Sequence, residues 1–485
     1  MISRRSFLAA TAASTVLRAA PDKKLNVLFL AVDDMRPDLG AYGNKYVKTP
    51  NLDKLASRGL TFLRAYCQQA VCSPSRTSLL TGRRPDTTKV YELQTHFRKT
   101  IPNVVTLPEH FKKNGYVSTG MGKIFHGGLD DPQSWSIPWW GPGMPAKWNT
   151  EENKARSEKV WARLQESGLK IGAAGGTRAQ RGPAWVASEL SDKELPDGKT
   201  ADMAIEALST LKDKPFFLAV GFVKPHLPFV APKKYYDLYP KESVKHTDYA
   251  PEPKGMPALA AHTNGELRSY SDIPEQGPIP EEKALELIRG YYAALSFTDA
   301  QIGRVVDHLD KLGLRDNTVV IVWGDHGWHL GNHGLWHKHT NFERATHAPL
   351  IVSVPGTRGG RKSNALVEFV DIYPSLAEIC GLPKPEGVEG ASFKPLLDRP
   401  NRDWKAAAFS QYPRGKAMGY SMRTDRYRYT EWITPGSTDT PAELYDYQTD
   451  PDESQNLAVL PQHAPLIKEL SQKLKAGWKA ALPST

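Results

Sequence analysis

Leu25-Asn26-Val27-Leu28-Phe29-Leu30-Ala31-Val32, followed at once by Asp33-Asp34, decides the fold. A short, nearly unbroken apolar run closed by charge is the pattern of a strand buried on both faces, as in a parallel sheet. Two later runs repeat it: Phe216-Phe217-Leu218-Ala219-Val220-Gly221-Phe222-Val223 and Thr318-Val319-Val320-Ile321-Val322-Trp323. Helical periodicity fills the intervals, over residues 50–58 stopped at Gly59, 107–114 stopped at Gly115, 201–211 and 281–312. This alternation predicts an α/β fold with a large, mainly parallel central sheet flanked by helices. Each strand runs into polar groups: Asp33-Asp34, Lys224-Pro225-His226 and Asp325-His326. Open α/β sheets build their binding crevices at the carboxyl ends of the strands, so these distant residues are expected in one site.

Outside these elements, residues 127–198 and 239–280 are rich in Pro, Gly and charge with weak periodicity, and read as long surface excursions. The Pro-rich residues 382–400 read as a linker. Beyond them, short runs such as Tyr427-Arg428-Tyr429-Thr430 predict a small antiparallel sheet, closed by a helix over 464–480. With 485 residues the chain is long enough for two units: a large domain over 22–395 and a small C-terminal α+β subdomain over 396–485.

Apolar residues at 40% and charged residues at 24% are ordinary for a globular protein, and no apolar run reaches the roughly 18 residues that span a bilayer. No membrane anchor is expected. Ser3-Arg4-Arg5-Ser6-Phe7-Leu8, followed by Ala9-Ala10-Thr11-Ala12-Ala13, reads as a twin-arginine export signal over 1–20, implying a periplasmic or secreted protein. Three cysteines, Cys67, Cys72 and Cys380, are too few for a disulfide framework; Cys67 and Cys380 are expected as buried free thiols, with a bridge between them as the alternative. The net charge of +10 favours anionic partners. With no zinc finger, aromatic RNA-binding signature or dense Lys/Arg run, nucleic acid is set aside in favour of sulfated or carboxylated sugar.

The sharpest local signal is Cys72-Ser73-Pro74-Ser75-Arg76, continued by Thr77-Ser78-Leu79-Leu80-Thr81-Gly82-Arg83. This C-x-P-S-R core with its T-G-R continuation resembles the signature of the type I, formylglycine-dependent sulfatases. Further blocks resemble the iduronate-2-sulfatase branch of that family: residues 68–72 and 81–88, Gly122-Lys123-Ile124-Phe125-His126, residues 216–229 with their K-P-H-x-P-F ending, residues 325–350, Ser410-Gln411-Tyr412-Pro413-Arg414 and residues 418–432. The resemblance implies an alkaline-phosphatase-like fold and a sulfuric ester hydrolase. It implies that Cys72 is converted to formylglycine by a formylglycine-generating enzyme. One geminal hydroxyl of the hydrated aldehyde attacks sulfur, and the other loses a proton to expel sulfate; this elimination is easier than water attack on a sulfated serine.

Asp33, Asp34 and Asp325 offer the hard oxygens that Ca²⁺ takes, with Mg²⁺ as the alternative. An Asp-Asp pair after a strand also serves as a turn or helix cap. Carried over residue by residue, the resemblance implies that Asp33, Asp34, residue 72, Asp325 and His326 bind calcium, although His326 stands where many sulfatases have asparagine. It implies that Arg76 holds residue 72, His126 drives sulfate elimination, Lys123 and Lys338 bind sulfate oxygens, and His226, with Lys338, stabilises or protonates the departing sugar oxygen. His329, His333 and His337 recur every four residues, but Gly327, Gly331 and Gly334 break any helix that would align them on zinc, so they read as loop or pocket-lining residues.

The substrate expected from the resemblance is a sulfated oligosaccharide or polysaccharide, such as a 2-O-sulfated uronic acid of a glycosaminoglycan or algal polymer. Phosphonate or phosphate monoester hydrolysis on the same fold, and a non-catalytic protein that binds sulfated glycans, are the competing readings.

Overall fold

The computed structural model describes residues 24–145, 147–172, 177–245, 251–262 and 264–483. The export-signal reading of residues 1–20 lies outside them. The three predicted strands form as Asn26–Val32, Phe216–Phe222 and Thr318–Gly324, and they are neighbours, with Asn26–Val32 in the middle and parallel to both. Leu28 is in register with Leu218 on one side and Val320 on the other. Alternate residues enter opposite cores. Leu28, Leu30, Leu218 and Val322 join one apolar cluster, while Val27, Phe29, Phe217 and Ile321 join the other. Burial on both faces explains why these strands read as continuous apolar runs rather than as alternating ones.

Five more strands complete an eight-stranded sheet in the order Arg361–Glu368, Leu60–Tyr66, Leu350–Ser353, Thr318–Gly324, Asn26–Val32, Phe216–Phe222, Val117–Gly122, Ile137–Trp140. All neighbouring pairs are parallel except those of Leu350–Ser353, which is antiparallel to both its neighbours. The predicted helices form as Pro50–Ala56, Leu107–Lys113, Pro196–Leu211 and Glu281–Lys311. The last of these packs Leu287, Tyr291 and Leu295 onto the sheet. The fold is therefore the α/β, alkaline-phosphatase-like one expected, with a small C-terminal antiparallel sheet of Ala407–Arg414, Ala417–Thr424, Tyr427–Ile433 and Ala442–Asp446. Helix Ala464–Ala480 covers that sheet, setting Leu466, Ile467, Leu470 and Leu474 against Met422, Tyr429 and Leu444.

Two expectations need correction. Residues 382–400 are not a free linker: Phe393, Leu396 and Leu397 are buried in the main core, the last two on helix Lys394–Asp398. The 127–198 excursion contains helix Glu151–Glu166, whose residues are mostly exposed and whose Thr150 side chain caps the Asn153 amide. Cys67 and Cys380 are free as expected, Cys67 buried and Cys380 only partly so. Among the described residues no helix is long and apolar enough to cross a membrane.

Candidate active site

The carboxyl end of Asn26–Val32 delivers Asp33 and Asp34 to the centre of the sheet edge. The Asp33 amide still donates to Phe222 O at 3.1 Å, so the parallel ladder continues one residue past the strand. Asp34 then turns away with φ of 56°, a left-handed conformation that is uncommon outside glycine and asparagine. Two contacts hold the turn: the Asp34 amide donates to Asp325 Oδ1 at 3.0 Å, and the Tyr291 hydroxyl donates to Asp34 O at 2.7 Å. Asp325 reaches the same point from the end of Thr318–Gly324, its amide donating to Val32 O at 3.2 Å. All three carboxylates are fully buried.

Cys72 is the first residue of helix Cys72–Thr81, every residue of which is buried, and Gly82 ends it at φ of 66°. One turn later on the same face lies Arg76. Its Nε donates to Asp325 Oδ2 at 2.8 Å, Nη2 to Asp33 Oδ1 at 3.1 Å and Nη1 to Ile124 O at 3.1 Å and to Lys123 O. Arg76 thus ties the helix, two strand ends and the Lys123 loop together.

The approach of Val117–Gly122 to Phe216–Phe222 depends on glycine. A Cβ on Gly221 would sit 2.1 Å from Lys123 O, so any side chain there would push Lys123 away. In place, Lys123 Nζ donates to Asp33 Oδ2, while Lys338 Nζ lies 3.1 Å from Asp34 Oδ2 and 3.0 Å from Glu266 Oε2. Burial pushes both carboxylates up. At Asp33 the Lys123, His226 and Arg76 charges outweigh burial and hold the group well below its ordinary value. At Asp34, burial with the neighbouring Asp33, Glu266 and Asp325 charges wins over Lys338, and the group is raised.

Three imidazoles complete the cluster. His326 Nδ1 pairs with Gly327 O at 2.9 Å, and because a carbonyl only accepts, Nδ1 carries the proton. Its Nε2 lone pair then faces Asp34 Oδ1 at 3.4 Å, Asp325 Oδ2 at 3.6 Å and Cys72 Sγ at 3.4 Å. His226 is fixed in the same way, Nδ1 donating to Leu227 O at 2.6 Å, with Nε2 3.3 Å from Glu266 Oε1. His126 lines the cavity and its buried Nδ1 has no hydrogen-bond partner. Burial and the Lys123 and Lys338 charges push both His126 and His226 down to about 3.

Every sequence-predicted site residue therefore falls in one place: Asp33, Asp34, Cys72, Arg76, Lys123, His126, His226, Asp325, His326 and Lys338. The ligand atoms of Asp33, Cys72, Asp325 and His326 all lie within 4.8 Å of one another, as do those of Asp33, Asp34, Cys72 and His226. Cys72, Lys123, His126, His226 and Lys338 line a cavity of about 740 Å³, walled further out by Trp139, Met144, Trp161 and Arg181. Glu266, which bridges His226 and Lys338, is the residue that sequence reasoning missed. His329, His333 and His337 are buried and lie outside any α-helix, His333 in the short 3-10 turn Asn332–Gly334, but none lines the cavity; His339 does.

The sulfatase family model matches residues 25–382. The chain belongs to the sulfatase family. A second model, for the C-terminal part of N-sulphoglucosamine sulphohydrolases, matches residues 331–479. As a sulfatase the protein is a sulfuric ester hydrolase. It is 36% identical to the iduronate 2-sulfatase of Homo sapiens over 484 residues, covering 84% of this chain and 85% of that protein, and 32% identical to a sulfatase of Formosa agariphila across 94% of this chain and 88% of that one. Among solved structures, the phosphonate monoester hydrolase of Silicibacter pomeroyi superposes with a TM-score of 0.73 at 22% identity, over 95% of this sulfatase and 96% of that chain. A protein solved with its substrate D-glucosamine-2-N,6-O-disulfate gives 0.70 at 22%, over 94% and 98%. At such identities the likeness is one of fold.

Proposed function

We propose that this sulfatase removes sulfate from a sulfated sugar of the iduronate-2-sulfatase type, with residue 72 as formylglycine and a divalent cation, Ca²⁺ in preference to Mg²⁺, beside it. The observation that carries the reading is the buried cluster of Asp33, Asp34, Asp325 and His326 against Cys72 at the floor of the cavity. A cation fits these residues. His326 aims an unprotonated Nε2 at two carboxylate oxygens, an arrangement of facing lone pairs that a positive ion between them would relieve. Asp33, Asp34, residue 72, Asp325 and His326 would hold the ion, which when bound supplies Lewis-acid polarisation of a sulfate oxygen. Formylglycine at residue 72 would supply the hydroxyl nucleophile.

The chain's own groups account for the rest. Arg76 holds Asp33 and Asp325 in place and balances their charge. Lys123 and Lys338 present ammonium groups to the sulfate oxygens at the cavity floor, where low dielectric makes such contacts strong. His126, kept neutral by burial, accepts a proton from the residue 72 hydroxyl so that sulfate departs. His226 and Lys338 flank the departing sugar oxygen, and the Lys338 ammonium is the proton-bearing group of the pair that stabilises or protonates it.

A sugar-lined polymer outside the cell suits the proposed twin-arginine export and maturation by a formylglycine-generating enzyme. We keep 22–395 and 396–485 as the catalytic domain and C-terminal subdomain. The test is purification after co-expression with a formylglycine-generating enzyme, mass analysis of the Cys72 peptide and assay of sulfate release from sulfated oligosaccharides. Full conversion of Cys72 with no release from any sugar would sink the reading. A higher rate on aryl phosphonates than on aryl sulfates would favour the phosphonate alternative.

A further inference from the structure

The cavity is lined by three lysine and arginine side chains, Lys123, Arg181 and Lys338. Two are already committed to carboxylates, Lys123 to Asp33 and Lys338 to Asp34 and Glu266. Arg181 is not: among the described residues it forms no ion pair, and its Nε is buried without a hydrogen-bond partner. A partly buried guanidinium with no counter-charge is costly, and the cost falls when a ligand supplies the anion.

The placement of Arg181 is built, not incidental. It ends the short helix Arg178–Arg181, where Thr177 and Gln180 cap each other reciprocally. Arg178 donates to Arg268 O at 3.0 Å and Ile273 O at 2.6 Å, the Ser271 amide donates to Gly182 O at 2.8 Å, and the Ala184 amide donates to Asp272 Oδ1 at 2.7 Å. These bonds clamp Arg181 to the segment that carries Glu266 and Ser269 into the same cavity. Tyr270 senses the arrangement: burial and Glu266 push its hydroxyl up to about 12, while Arg181 and Lys338 pull it back. Glu266 on the same wall is paired with Lys338.

We propose that Arg181 binds a second anionic group of the substrate, the carboxylate of a sulfated uronic acid, and so selects acidic sugars over neutral ones. The planar fork of the guanidinium matches a carboxylate bidentately. The inference rests on the sulfatase reading of the same cavity and deepens it.

The experiment compares kcat/KM of the wild type, Arg181→Gln and Arg181→Lys on a monosulfated uronic acid glycoside, its carboxyl-reduced counterpart, a neutral disulfated glycoside and 4-nitrophenyl sulfate. Loss of a charge-assisted contact lowers the ratio of the uronide rate to the 4-nitrophenyl sulfate rate about 10- to 100-fold in Arg181→Gln, with partial recovery in Arg181→Lys. An equal fall on all substrates, no fall on the uronide, or a fall confined to the disulfated glycoside overturns it. Calorimetric binding of the uronide to the Cys72→Ala protein, with and without Arg181→Gln, reads the same contact without turnover. Weaker binding in the double variant supports the contact even if the wild type hydrolyses none of these esters, and unchanged binding refutes it.

Discussion

Replacing Glu266 by Gln removes one negative charge from between two of the proposed catalytic groups while keeping the shape of the side chain. Glu266 Oε1 accepts from Lys338 Nζ at 3.1 Å and lies 3.3 Å from His226 Nε2, while Oε2 lies 3.0 Å from the same ammonium. A buried hydrogen bond to a charged group contributes about 1.5–3 kcal/mol, against about 1 kcal/mol for a neutral one. The amide should therefore cost about 1–2 kcal/mol of active-site organisation, a fall of about 5- to 30-fold in kcat/KM, and Glu266→Ala about 10- to 150-fold. Burial raises the Glu266 carboxyl, but Lys338, His226 and His339 outweigh it and hold it far below the ordinary 4.5. A depressed carboxyl contributes fully above its unfolded value and is lost only as pH falls through the folded one. The loss in Glu266→Gln should accordingly be constant from about pH 5 to about pH 9. Steady-state kinetics on 4-nitrophenyl sulfate across that range, with thermal unfolding as a control, measure it. A kcat/KM within twofold of wild type for both variants would refute the reasoning, as would a loss explained by unfolding.

Chelation with EDTA should lower activity and unfolding temperature together, and adding back Ca²⁺ at about 100 times its Kd should restore about 2.7 kcal/mol; indifference of the unfolding temperature to chelator and to both Ca²⁺ and Mg²⁺ would remove the metal. Lys405 is buried between Glu368 at 2.7 Å and Asp371 at 2.5 Å, so Lys405→Met strands a buried carboxylate and should cost about 3–5 kcal/mol by denaturant titration, with a loss under about 1 kcal/mol contradicting the pair. Burial pushes His96 down to about 4 from 6.5, so the unfolded chain binds its proton first and stability is lost as pH falls from 6.5 towards 4. The slope amounts to on the order of 3 kcal/mol, and His96→Gln should flatten it in unfolding curves recorded across that window.

The central strands were legible because burial on both faces leaves no room for polar residues, and the carboxylates and histidines that follow them were legible because strand ends set their positions. Glu266 was not. It lies in a stretch without periodicity, and its partners His226 and Lys338 are brought to it only by the tertiary fold. Helix Glu151–Glu166 was hidden for the opposite reason: it buries only Asn153 and Leu164, so little apolar stripe is written into its sequence. The 382–400 segment misled because its prolines suggest a linker, whereas Phe393, Leu396 and Leu397 carry the packing that keeps it in the core. Arg181, too, has no motif. Its meaning comes from having no ion-pair partner among the described residues, which only the tertiary fold reveals.

Cys72 is 2% exposed and its backbone is locked into a helix buried along its whole length. An enzyme that rewrites a side chain must grip several residues in an accessible conformation, and this segment offers none once the sheet and its helices have closed around it. If residue 72 is converted to formylglycine as proposed, that conversion is in a race against folding: a chain that folds first would keep its thiol, and the fraction of active molecules would be set by the relative speeds of two events that both precede the finished protein.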